Sequence, residues 1–98
     1  MNEEAKQLKK QWQAAEKDAA RAKFPLASDK LAELFDVVEA AIDASGCDHS
    51  LKISMEWLEG RGFDTDAVVQ WLHANHGFCD CEVVANVRDH WKANRSDL

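Results

Sequence analysis

The whole chain holds one proline and four glycines, and tyrosine is absent. A lone proline cannot make a Pro-rich linker, and an ordinary share of Leu, Ile, Val and Phe with four Trp argues against wholesale disorder. No segment alternates apolar and polar residues with a period of two, so strands are not expected. No apolar run approaches the roughly 20 residues that span a bilayer. The start, Met1-Asn2-Glu3-Glu4, lacks the basic-then-apolar pattern of a secretory signal, so the expected location is the cytoplasm. Catalytic templates are missing too: there is no G-x-S-x-G, no H-E-x-x-H, no phosphate-cradling glycine loop and no H-x-E with P-C-x-x-C. The many Asp and Glu read as the solvated faces of amphipathic helices, which places a binding module ahead of an enzyme.

Positive charge is scarce beyond the first helix. Residues 1–23 carry six Lys/Arg against four Asp/Glu, whereas residues 24–98 carry six against fourteen, a net charge of −8. Phosphate binding needs clustered cations that displace counterions, so neither nucleic acid nor an anionic membrane is an expected partner. A protein partner is.

What is present is helical patterning. At 98 residues the chain suits one small core. Residues 1–24 form an Ala/Lys/Glu-rich N-terminal helix, and residues 25–98 a small helical domain with the Cys/His cluster. The N-terminal segment shows a narrow seam of Leu8, Trp12, Ala15, Ala19 and Ala22, which packs on its own domain or serves a homodimer contact. Ser28 is placed as the N-cap of a second helix running to about Ser45, with Leu31, Leu34, Phe35, Val38, Ala41 and Ile42 facing the core and Gly46 as its stop. A third helix starts near Asp48 or Ser50, buries Leu51, Met55 and Leu58, and ends at Gly60-Arg61-Gly62. Asp64 caps a fourth, with Val68, Trp71 and Leu72 buried and Gly77 as terminator. The last opens around Cys79-Asp80-Cys81-Glu82 and carries Val83, Val84, Val87 and Trp91 inward. The expected class is all-α, about five helices around one core.

Three cysteines are an odd number, and in a reducing compartment they read as ligands or reactive thiols rather than a disulfide framework. Cys47-Asp48-His49 follows one helix stop, and Cys79-Asp80-Cys81 follows another. The helix, tight turn and antiparallel helix between them return the chain to nearly the same place. Cys47, His49, Cys79 and Cys81 therefore form a candidate Cys₃His metal site, a set that suits tetrahedral Zn²⁺ and pins the ends of an αα-hairpin. Residues two apart in a regular helix point about 200° from each other, so each pair must lie in a turn or cap conformation to share a metal. Helix N-termini favour thiolate over thiol, and Cys81 is expected to benefit most. Asp80 and Glu82 are placed as cap groups or as partners orienting His49, while His73, His76 and His90 are placed as helix-borne residues outside the site.

Cys47-Asp48-His49-Ser50-Leu51, Trp57-Leu58, Trp71-Leu72 and Gly77-Phe78-Cys79-Asp80-Cys81-Glu82-Val83-Val84-Ala85-Asn86-Val87 together resemble a bacterial family, domain-of-unknown-function family 2695. The resemblance covers about residues 28–87. It implies no activity, but its pattern includes the positions of Cys47, His49, Cys79 and Cys81 as well as Glu82 and Asn86. His76 departs from it, standing where the family usually has glycine, which implies a local change in that turn. Asn86 is assigned a hydrogen bond to a nearby turn. The expected function is a small protein-interaction or regulatory module with a structural zinc. Its alternatives are a thiol-based redox sensor or oxidoreductase using Cys79 and Cys81, and a metal-sensing or trafficking protein.

Overall fold

The computed structural model describes residues 15–95. Most of the segment expected to form the N-terminal helix, with Leu8 and Trp12 of its seam, lies outside the described residues. Within them the chain is all helical. Residues 15–22 form α1, followed by α2 (Ser28–Ser45), α3 (Lys52–Gly60) and α4 (Thr65–Ala74). The last helix is continuous but has three parts: α5 (Asp80–Glu82), a π-helical turn (Val83–Val87) and α6 (Arg88–Asn94). The π turn is closed by the Arg88 N–H bonding to the Val83 carbonyl, five residues back. No helix among the described residues is long and apolar enough to cross a membrane.

One core joins these elements. Leu31 and Phe35 of α2 meet Leu58 of α3, Val68, Trp71 and Leu72 of α4, and Val83, Val87 and Trp91 of the last helix. Phe35 lies against Trp91 with ring centroids 5.4 Å apart, and Phe24 meets Trp71 edge-on at 5.6 Å. Leu34 and Val38 are also fully buried, whereas Ala41 and Ile42, one turn further along α2, are only half-buried.

Both hairpin turns follow from helix-end chemistry. At the end of α3 the Phe63 N–H reaches the Leu58 carbonyl (3.1 Å) and the Gly62 N–H reaches that of Glu59 (3.1 Å), with Gly62 at φ 74°. This is the Schellman arrangement, in which a left-handed residue lets the chain turn back over the last carbonyls. Helix α4 ends in the same way, with Gly77 N–H to Leu72 O at 2.7 Å and His76 N–H to His73 O at 3.1 Å. Here the left-handed residue is His76 (φ 66°), so the reversal falls one residue before Gly77, the expected terminator. Gly77 is needed for space instead: a Cβ there would lie 2.5 Å from Val87 Cγ2 and 3.1 Å from the Leu72 carbonyl. Asn86 Nδ2 donates to the His76 carbonyl at 3.0 Å and braces the turn.

Three sequence expectations are corrected. Ala27, not Ser28, is the N-cap of α2; Ser28 lies inside the helix, where its hydroxyl accepts the Trp91 indole N–H at 2.8 Å. Helix α3 starts at Lys52, because Asp48 spends its carboxylate on a local turn, accepting the Ser50 N–H at 3.0 Å and the Ser50 hydroxyl. Met55 is 38 % exposed, and Ser54 takes its place inside with no exposure at all.

Candidate metal centre

Helix α2 stops at Gly46, whose φ of 78° turns the chain into the 47–51 loop. That loop carries Cys47. Thirty-two residues later the turn after α4 delivers Cys79 in extended backbone (φ −145°, ψ 168°) as the N-cap of α5, with Cys81 in the first turn. The extended residue removes the helical restriction on a one-residue spacing, so both sulfurs face the same place. The sulfurs of Cys47, Cys79 and Cys81 all lie within 4.8 Å of one another. All three cysteines are free; Cys79 is buried, the other two half-buried.

Backbone amides converge on one of these sulfurs. Cys47 Sγ accepts N–H bonds from His49 (3.3 Å) and from Cys81 (3.4 Å). Interaction with the Cys81 thiol above all, with the two amides, holds Cys47 below the ordinary thiol range. Burial pushes Cys79 up, and interaction with Cys47 raises it further. Cys81 is pushed up to about 11, first by its interaction with the Cys47 thiol and then by burial. The expectation that Cys81 gains most from the helix start is therefore corrected: its amide serves Cys47, and Cys47 becomes the favoured thiolate. A divalent ion among the three sulfurs would favour ionisation of all of them.

His49 is placed differently from the three sulfurs. It sits on the same loop as Cys47, exposed, in the left-handed conformation (φ 66°), and is not part of the close sulfur group. The remaining histidines lie elsewhere: His73 stacks on the exposed Phe78 (5.0 Å), His76 occupies the α4 turn, and His90 packs near Phe24 and Trp71 at 6.4 and 6.2 Å.

Neither acidic neighbour orients His49. Glu82 accepts the Phe78 N–H at 3.2 Å, tying the first turn of the last helix to the residue before its N-cap. Asp80 is fully buried and caps a different helix: its carboxylate accepts the N–H groups of Ile53 (3.0 Å) and Ser54 (3.1 Å) and the Ser54 hydroxyl (2.7 Å), at the N-terminus of α3. Ser54 was not among the residues expected at the site. Its signal was a polar side chain three residues after Leu51 and four before Leu58, on the apolar face, where a buried hydroxyl requires a partner. Two cavities border the sulfurs on either side of the end of α2. One, about 360 Å³, is lined by Ala41, Cys47 and Lys52 among others; the second, about 400 Å³, by Ile42, Cys81 and Arg88.

Comparison with known proteins places the chain in a family. The profile of the family described as protein of unknown function (DUF2695) matches residues 34–86, and the chain belongs to it. The chain is 29% identical over 80 residues to the uncharacterised proteins Mb2294 of Mycobacterium bovis and Rv2271 of Mycobacterium tuberculosis, covering 82% of this chain and 81% of each relative. No solved structure matches.

Proposed function

We propose that this member of the DUF2695 family binds one Zn²⁺ through Cys47, Cys79 and Cys81, with His49 as the fourth ligand, and uses it as a structural cross-link in a cytoplasmic protein-interaction module. The observation that carries the reading is the convergence of three sulfurs from two loops to within 4.8 Å. Tetrahedral Zn–S bonds of about 2.3 Å put sulfurs slightly under ~4 Å apart, so only a small contraction separates this triangle from a metal-bound one. Thiolate-rich sets favour soft or borderline ions, which supports zinc over magnesium or calcium. His49 supports the fourth position by chain proximity: it is two residues from Cys47 on the same loop, and its N–H bonds the Cys47 sulfur at 3.3 Å. The bound ion would tie the end of α2 to the start of the last helix, and its charge would offset the burial and the Cys47 contact that raise Cys79 and Cys81. An acidic body supports a protein partner over nucleic acid or membrane. The N-terminal helix is the proposed homodimer surface.

A second reading, a thiol redox protein, is favoured by one observation, the Cys81 N–H bonding the Cys47 sulfur at 3.4 Å beside the Cys81 thiol, which helps hold Cys47 below the ordinary thiol range. It moves the reactive pair from Cys79 and Cys81 to Cys47 and Cys81. Metal sensing or trafficking shares the ligands and differs by needing exchangeable metal. Elemental analysis of protein purified without a histidine tag separates these readings. One zinc per chain, lost in Cys47→Ser and Cys81→Ser, is the expected result, with slow alkylation until a chelator is added. Metal-free protein whose thiols alkylate rapidly overturns the zinc reading and leaves the redox one. Metal exchanging rapidly with a competing chelator favours trafficking.

A further inference from the structure

We infer that Asp80 is the positioning residue of the sulfur site, fixing its geometry and closing it to hard cations. The inference rests on the zinc reading above. Asp80 lies between two of the sulfur-bearing residues, yet its side chain is fully buried and turned away toward α3. Both carboxylate oxygens are engaged: Oδ2 by the Ile53 N–H, Oδ1 by the Ser54 N–H and hydroxyl. The Asp80 N–H in turn donates to the Ser50 carbonyl at 2.8 Å. The peptide joining Cys79 to Cys81 is thus fastened at both its amide and its carboxylate to the segment that follows Cys47.

Helix α3 needs this carboxylate as much as the site does. Its own N-cap is Leu51, which is buried in the core and has no side-chain oxygen to offer the first amides. Asp80 supplies that cap from 26 and 27 residues away, and the positive end of the α3 dipole balances its charge. The ligands are consequently brought together by protein hydrogen bonds before any ion arrives. With its oxygens occupied, Asp80 offers no hard donor, so only sulfur faces the ion from the 79–81 segment.

The test measures Zn²⁺ affinity by chelator competition, and Co²⁺ absorption as a report of ligand geometry, in the full chain at a temperature where each protein is folded. Asp80→Asn keeps the shape but sets an amide NH₂ against N–H donors. It is expected to weaken zinc by about 10–100-fold and to alter the sulfur-to-cobalt bands. Ser54→Ala, which removes one bond and keeps the main-chain cap, is expected to give a smaller loss in the same direction, and decides the matter if Asp80→Asn does not fold. Val68→Ala, a core truncation on a helix that carries no cysteine, is expected to lower stability and leave zinc affinity and the cobalt spectrum unchanged. Wild-type protein that binds no zinc defeats the metal reading itself. Wild-type binding with unchanged affinity in Asp80→Asn, or in Ser54→Ala when the first variant is unfolded, overturns the role of Asp80 alone. An equal loss in Val68→Ala does the same.

Discussion

Replacing Gly77 by alanine tests how tightly the turn after α4 is set against the last helix. The added Cβ would stand 2.5 Å from Val87 Cγ2, well inside van der Waals contact, and Val87 is fully buried, so its methyl has no open side to retreat to. Moving the backbone is no easier. The second close atom, the Leu72 carbonyl oxygen at 3.1 Å, is the one that accepts the Gly77 N–H at 2.7 Å, so a shift that relieves the clash stretches the bond that ends α4. Overpacking of this kind costs about 1–3 kcal/mol. Gly77 is outside the left-handed region, so alanine returns about 0.4–1 kcal/mol by restricting the unfolded chain. The net expectation is a loss of about 1–2 kcal/mol, or a melting temperature lower by roughly 5–15 °C for a domain of this size. Urea unfolding followed by circular dichroism, with a chelator present so that metal does not contribute, measures it. The partner variant Val87→Ala costs about 2 kcal/mol alone, through lost burial and a cavity. In the double variant the new Cβ enters the space that Val87 vacates, so the combined loss falls about 1 kcal/mol short of the sum. A Gly77→Ala protein within about 0.5 kcal/mol of wild type, or strictly additive losses, would refute the steric argument.

His76→Gly should stabilise the protein by roughly 0.5–1 kcal/mol, because glycine lacks the left-handed penalty that histidine bears at φ 66° and Asn86 bonds a carbonyl that the substitution retains. Thermal melts decide the sign. Burial holds His90 below the ordinary histidine range. Its neutral form is therefore favoured by folding, and the unfolded chain takes up its proton first as pH falls; stability is present above the unfolded value near ~6.5 and declines as pH drops through the folded one. His90→Gln should flatten the slope of melting temperature against pH below the ordinary histidine value; an unchanged slope places the titration elsewhere. Zinc binding should release protons, from Cys79 and Cys81 above all, and tighten as pH rises. Calorimetry in buffers of different ionisation enthalpy reads the number, and a buffer-independent heat is incompatible with the raised thiols. Ser28→Ala should cost about 1 kcal/mol by leaving the Trp91 indole N–H without its acceptor.

The helices could be read from the sequence because apolar spacing and end signals agree over most of the chain. Leu31, Leu34, Phe35 and Val38 give one face of α2, and Asp64 caps α4 as expected, accepting the Ala67 N–H at 3.2 Å. The meeting of Cys47 with Cys79 and Cys81 was legible too, since a helical hairpin returns the chain to its start. What could not be read is chemistry that crosses between segments. Leu51 looks like a poor helix start until Asp80 is seen capping α3 from the far loop, and that bond also explains why Ser54 faces inward while Met55 faces out. Local rules favoured Ser28 as a cap, and only the position of Trp91 in space gives its hydroxyl another use. The thiol expected to be most acidic was misassigned for the same reason, because the Cys81 amide points at a sulfur 34 residues earlier.

The wide turn at Val83–Val87 has a consequence for how the last helix can vary. Side chains four residues apart drift around an ordinary α-helix by about 40° per step, so Val83, Val87 and Trp91 would spiral out of line. The extra residue held in the π turn offsets part of that drift, and all three point inward. One end of a single rod is thereby oriented for sulfur and the other for the aromatic interior, with a rotational adjustment between them. Removing one residue from that stretch would spin the two ends by roughly 100° against each other. Side-chain identity there is open to change where solvent permits; its length is not.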